Sequence, residues 1–256
     1  MKKLVAGVLG KLGYTINRKD VTAGKITDIR NDEFWELYHF CQPYTMTSVE
    51  RMFALYNSVN YVLANNIPGD FIECGVWRGG SAMLIAKILQ LRNISDRKIY
   101  LFDTFEGMSE PTTDDVDHRG NDAASLLEQN IGNKEESVWC LASIEDVKRN
   151  LSLTSFQPAN LVFVKGKVEE TLPKAGMDRI ALLRLDTDWY DSTRHELVHL
   201  YPMLVINGVL IIDDYGHWSG CRKAVDEYFG ENKIDLLFNR IDYTGRLCIK
   251  TTSFPS

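Results

Sequence analysis

Five short apolar runs, separated by stretches of helical periodicity, set the strongest limit on what this chain can fold into. Phe71–Cys74, Ile99–Phe102, Leu161–Val164, Ile180–Leu185 and Val209–Ile212 have strand length and are too short for buried helices. Helical spacing over about 81–91, 192–201 and 219–229 fills the intervals, and two last strands are expected near 234–238 and 245–250. An earlier helix is announced by Thr47-x-x-Glu50, a capping box, and by Val49, Met52, Phe53, Tyr56, Val59, Val62 and Leu63 recurring at helical spacing. It ends near Asn65-Asn66, before Pro68-Gly69. Apolar strands alternating with amphipathic helices predict an α/β fold: a mostly parallel seven-stranded sheet with helices on both faces. In such sheets ligands bind at the carboxyl ends of the strands, near the switch in strand order.

Charge and cysteine usage narrow the function. With 29 Lys and Arg against 35 Asp and Glu, the net charge of -6 repels a nucleic-acid backbone, and no run of basic residues offsets it. The five cysteines are odd in number and scattered, with no CxxC, as in a cytoplasmic protein with reduced thiols. The opening MKKLVAGVLGKLGY reads as a short amphipathic helix, since Lys11 interrupts its apolar stretch and no small-residue cleavage site follows. No apolar run approaches the ~20 residues that cross a bilayer.

The strand ends hold the chemistry. Glu73-Cys74-Gly75-Val76-Trp77-Arg78-Gly79-Gly80-Ser81 is a glycine-rich turn, either a tight strand-to-helix connection or a place where a ligand approaches the backbone. Trp77 keeps it from being the GxGxxG fingerprint. Asp103, closing the second strand, is a turn residue or an acceptor for ribose hydroxyls. Together the two features favour a nucleoside-containing cofactor. Leu185-Asp186-Thr187-Asp188-Trp189 and Ile212-Asp213-Asp214-Tyr215 close the fourth and fifth strands. If those strands are neighbours, four carboxylates converge, and like charges that close need a hard cation such as Mg²⁺.

Two other features compete. His195-Glu196-Leu197-Val198-His199 matches HExxH, a zinc-hydrolase pattern, and its histidines share a helical face. Leu197, Leu200 and Tyr201 define the opposite side, so the histidine face is expected to meet solvent. The acidic segment Asp103–Asn121 is long enough to be expected as a flexible lid.

The pattern E-x-G-x-x-x-G-x-S over Glu73–Ser81, with Asp186 and the Asp213-Asp214 pair, is similar to the catechol O-methyltransferase type of class I methyltransferase. More closely, PYTMTS (43–48), GDFIECGVWRGGS (69–81), LFDTFEGM (101–108), LRLDTDWYDST (183–193) and IIDDYGHWSGCRKAVDEYF (211–229) resemble the macrocin O-methyltransferase family. One departure is Asn207-Gly208, where Gly-Gly is expected before the fifth strand.

The resemblance implies a Rossmann-like class I methyltransferase domain over 46–256, an N-terminal extension or lid over 1–45, and a homodimer. It implies S-adenosylmethionine as donor, Mg²⁺ as cofactor, and a sugar hydroxyl of a small molecule or glycan as acceptor. Thr45 and Met46 would lie beside the donor, Glu73 and Gly75 near its methionine portion and Asp103 on its ribose, with Ser81 capping the helix beneath. Asp186, Asp213 and Asp214 would hold the metal and Asp188 would act as base, while Trp189, Tyr215, His217 and Trp218 would flank the sugar. The competing reading is a glycosyltransferase using Asp186-Thr187-Asp188 as a DxD motif for metal and nucleotide sugar.

Overall fold

The structure, a computed structural model, describes residues 28–172 and 176–251; the expected N-terminal helix lies outside them. The chain divides after Asp32, and everything that positions the site lies in the larger compact unit, Glu33–Ser256. Residues 33–45, grouped by sequence with the N-terminal extension, therefore belong to the unit that holds the sheet.

In chain order the elements are α1 (Asp32–Cys41), a 3₁₀ turn at Gln42–Tyr44, α2 (Val49–Ala64), β1 (Asp70–Cys74), α3 (Gly80–Leu91) and β2 (Ile99–Asp103). There follow α4 (Ala123–Gln129), α5 (Ile144–Ser152), β3 (Leu161–Lys165), α6 (Val168–Thr171), β4 (Ile180–Leu185) and α7 (Tyr190–Leu200). The chain ends with β5 (Leu204–Ile212), α8 (Ser219–Glu231), β6 (Asn239–Arg240) and β7 (Arg246–Ile249). The seven strands form one sheet in the order β3-β2-β1-β4-β5-β7-β6, with β7 alone antiparallel to its neighbours. The chain leaves β1 toward β2 and β3, then returns to β4 and β5 on the other side. The switch point is therefore between β1 and β4.

All six residues of β4 are buried, and because successive side chains point to opposite faces, both faces of the sheet must be covered. On one face Ile72, Leu183, Leu185, Leu210 and Ile212 pack with Leu197 and Leu200 of α7 and with Val225 and Tyr228 of α8. The opposite face receives α2, which lies against β4 and β5. Parallel register sets Glu73 of β1 directly beside Arg184 of β4. Arg184 is 2% exposed, and its Nη1 donates to Glu73 Oε1 at 2.7 Å.

Several boundaries differ from the sequence reading. The cap of α2 is Ser48, whose Oγ accepts from Arg51 N at 3.2 Å, because the hydroxyl of Thr47 accepts instead from Arg184 at 3.2 Å. Strand β5 begins five residues early, at Leu204, because Asn207 (φ 66°) forms an irregular step and its N–H still bonds Lys250 O. The strand expected near 234–238 is the two-residue β6, displaced to Asn239–Arg240. Helices α1, α4, α5 and α6 are not assigned from the sequence, although α5 has a clear apolar stripe through Val147 and Leu151. The segment after β2 is not a free lid. Asp115 within it is fully buried, accepting from Thr112 N at 2.7 Å and from Tyr190 N, at the start of α7, at 2.8 Å.

Lys250, beyond β7, is 2% exposed and points its ammonium at the end of α7, donating to the carbonyls of Leu204 at 2.7 Å and Tyr201 at 3.0 Å. Lys250→Met keeps the stem and strips those carbonyls, so we expect a loss of about 1–3 kcal/mol in urea unfolding at unchanged m value. Arg184→Met leaves Glu73 and its acidic neighbours uncompensated, and we expect about 3–5 kcal/mol lost in the same assay. A loss below ~1 kcal/mol would show the guanidinium to be dispensable for stability.

Candidate active site

A cavity of about 360 Å³ opens at the carboxyl ends of β1, β2, β4 and β5, the place the strand order prescribes. Leu185 and Ile212 are register partners, so the residues that follow them, Asp186 and Asp213, emerge side by side. Carboxylate oxygens of Asp186, Asp213 and Asp214 all lie within 4.8 Å of one another. They form the metal-competent group of acidic, histidine or cysteine side chains found among the described residues. Asp188 lines the same cavity.

Two arginines enter this acidic floor, and sequence reading had assigned neither a role. Arg184 bridges Asp186 Oδ2 at 2.7 Å and Asp213 Oδ1 at 2.8 Å, besides holding Glu73. Arg51, from the first turn of α2, reaches Asp213 Oδ2 and lies 3.2 Å from Asp242. Ser48 Oγ donates to the same Asp242 oxygen at 2.8 Å, so the start of α2 is fastened to the β6–β7 turn. A sequence signal for Arg184 existed: it is the sole charged residue of IALLRL, an otherwise apolar run.

The charges distort the titration of the cluster. Burial raises Asp186, but Arg184 and Arg51 more than offset it, and its carboxyl stays below the usual range. Burial, together with Asp188, Asp186 and Asp213, pushes Asp214 well up. Burial and the neighbouring Asp186 raise Asp188 to about 7, against hydrogen bonds that include one from the Trp218 side chain. Asp214 Oδ2 is buried without a hydrogen-bond partner.

On the β1–β2 side, the glycines serve the protein's own backbone. A Cβ on Gly75 (φ 82°) would lie 1.9 Å from the Asp186 carbonyl oxygen, and one on Gly80 would meet Tyr44 O at 2.6 Å. Asp103 accepts from Val76 N at 2.7 Å, Trp77 N at 3.2 Å and Phe105 N at 2.6 Å. It thus locks the glycine turn with the backbone donors that a ligand would otherwise use.

Thr45, Met46, Gly75, Ser81 and Asp103 all line the cavity, and Met46 is half exposed. Ser81 does not cap α3: the cap is Gly79, without a side-chain bond, and Ser81 Oγ turns to Met52 Sδ at 3.8 Å. Glu73 is 1% exposed beneath the cavity, behind Arg184, and is absent from the lining. His217 and Trp218 line the cavity, joined by Tyr243, whose hydroxyl lies 2.9 Å from His217 Nδ1. Trp189 and Tyr215 turn away, to Ser109 O at 3.0 Å and Asp226 at 2.8 Å.

The HExxH pattern builds no metal centre. His195 and His199 are half-buried and lie against each other, with ring centroids 4.2 Å apart and planes tilted by 45°, whereas Glu196 is fully buried toward the sheet. At about 100° per residue the glutamate is turned roughly 60–100° around the helix from the two histidines, toward the buried side.

Comparison with known proteins agrees with this geometry. The model of the macrocin-O-methyltransferase (TylF) family matches residues 35–249. Demethyldecarbamoylnovobiocin O-methyltransferase of Streptomyces niveus is 35% identical over 185 residues, 72% of this chain and 67% of that one. The 8-demethyl-8-(2,3-dimethoxy-alpha-L-rhamnosyl)-tetracenomycin-C 4'-O-methyltransferase of Streptomyces olivaceus is 34% identical over 202 residues, 79% of this chain and 74% of that one. The solved structure of the O-methyltransferase NovP superposes with a TM-score of 0.71 at 33% identity, covering 82% of this chain and 83% of NovP. These matches set aside the glycosyltransferase reading. The chain belongs to the macrocin-O-methyltransferase family and is an S-adenosylmethionine-dependent O-methyltransferase with the class I fold.

Proposed function

We propose that the chain methylates a sugar hydroxyl on a small molecule or glycan, with Mg²⁺ held by Asp186, Asp213 and Asp214 and with Asp188 as general base. The observation that carries this reading is the convergence of the three carboxylates, within 4.8 Å, in the cavity that Asp188 also lines. A relative named for a rhamnosyl compound supports the sugar acceptor. The residues suit the ion: all the donors are hard oxygens, and Asp214 Oδ2 is a buried acceptor with no partner in the protein. Arg51 and Arg184 leave the acidic group undercompensated, which a divalent cation offsets.

When bound, S-adenosylmethionine supplies an electrophilic methyl group, and Mg²⁺ supplies positive charge against the oxygen that attacks it. The chain's own part is to hold and deprotonate that oxygen. A sugar hydroxyl is a poor nucleophile, and Asp188, which lines the cavity beside the metal-competent group, accepts its proton at a carboxylate oxygen. His217 and Tyr243 form a polar aromatic wall for the sugar. On the donor side, Thr45, Met46, Gly75, Ser81 and Asp103 surround the remaining space, while Glu73 acts through Arg184 without touching the donor. A homodimer in the cytoplasm completes the proposal, and five free cysteines support a reducing setting.

The decisive experiment is a mass-shift screen of glycosylated acceptors with S-adenosylmethionine and Mg²⁺, scoring the gain of one methyl group. Asp188→Asn is expected to keep affinity for S-adenosylhomocysteine by calorimetry and to lose about 10²–10⁴-fold in kcat. Unchanged turnover would remove Asp188 from its role. EDTA is expected to abolish turnover and Mg²⁺ to restore it; full activity in chelator would remove the metal.

A further inference from the structure

The turn that carries Asp186 and Asp188 is under backbone strain. Asp188 has φ 67°, in the left-handed region. Across it, Trp189 N donates to Thr187 O at 2.7 Å. A bond from one residue to the second before it, around a positive φ, is the rare and strained form of γ-turn. Such a conformation persists only where its surroundings over-determine it. Both flanks are fixed: Asp186 N donates to Cys74 O at 2.8 Å, and the Trp189 indole to Ser109 O at 3.0 Å. The side chains of Asp186 and Asp188 are held from the cavity side by Arg184 and Trp218, and from beneath, the turn is held by Thr187, whose Oγ1 donates to Glu196 Oε2 at 3.1 Å.

Glu196 has no place in the proposed chemistry, yet it is fully buried beneath β1 and β4, and its Oε1 has no hydrogen-bond partner. Keeping a carboxyl group there is costly unless the bonds it makes, to the Thr187 hydroxyl and to the Cys74 thiol, are worth having. The Glu of the HExxH pattern thus faces the turn and not the two histidines. We infer that Glu196 is a positioning residue: through the hydroxyl of Thr187 it holds the strained turn that presents Asp188 to the cavity. This concerns the Asp188 role proposed above, but the turn geometry can be tested without it.

Crystal structures and steady-state kinetics of Thr187→Val, Thr187→Ser, Glu196→Gln, Glu196→Ala and the double variant Thr187→Val/Glu196→Ala test the assignment. Thr187→Val keeps the branched shape and removes the donor. In it we expect Asp188 to leave positive φ, with kcat down at least about tenfold and KM for the methyl donor unchanged. Thr187→Ser and Glu196→Gln, which keep donor and acceptor, retain the turn and most of the activity. The double variant is expected to lose no more than Thr187→Val alone, since both changes break one interaction. Asp188 remaining near φ 67° in Thr187→Val would overturn the inference. So would a double variant whose loss is the product of the single losses. A wild-type enzyme that methylates no sugar would sink the functional reading instead, and the φ measurement would still decide this one.

Discussion

A guanidinium shut inside a sheet, as that of Arg184 is, needs acceptors on every side, because an unpaired charge there costs several kcal/mol. Arg184 finds them in Glu73, Asp186, Asp213 and Thr47, which come from β1, the end of β4, the end of β5 and the segment before α2. One side chain thereby sets the spacing of the strand ends and ties the N-terminal side of the cavity to the sheet. Glu73 makes sense only in this light. It lies beneath the cavity and keeps Arg184 aimed.

The same arrangement explains how so many carboxylates tolerate one another. Arg51 and Arg184 hold Asp186 below its ordinary range by direct pairing, while burial and mutual repulsion raise Asp213, Asp188 and Asp214. The site is thus graded. Asp186 holds its charge, its carboxyl kept below the usual range, whereas Asp213, raised to about 6, and Asp188, raised to about 7, bind protons far more readily. Such a gradient separates groups that hold charge from a group that moves a proton.

Much of this was legible in the sequence because it depends on period and position. Strand β4 is read from IALLRL without error, and the two acidic pairs are located by following β4 and β5 to their ends. What escaped depends on side chains that meet only through tertiary register. The pairing of Glu73 with Arg184 needs the β1–β4 alignment, and the Arg51 contact needs α2 laid across β5. Thr47 looked like a cap because Ser, Thr and Glu at that spacing usually are one; the demand of a buried arginine shifted the cap to Ser48. Nor could the sequence show that Asp103 binds the backbone of the glycine turn or that Ser81 meets Met52 of α2, besides lining the cavity. Short helices such as α4 and α6 bury too few residues for periodicity to register.

The fastening of α2 to the β6–β7 turn has a consequence for how the molecule is made. Ser48 and Asp242 are 194 residues apart, and Arg51 and Asp213 are 162 apart. Closing such loops is entropically expensive and rewarded only when most of the chain is already in place. The switch point is no more local, since Glu73 and Arg184 are themselves 111 residues apart, so strand pairing and the acidic floor both wait on long loop closures. Until α2 docks on the β6–β7 turn, the floor lacks Arg51 and its carboxylates repel one another.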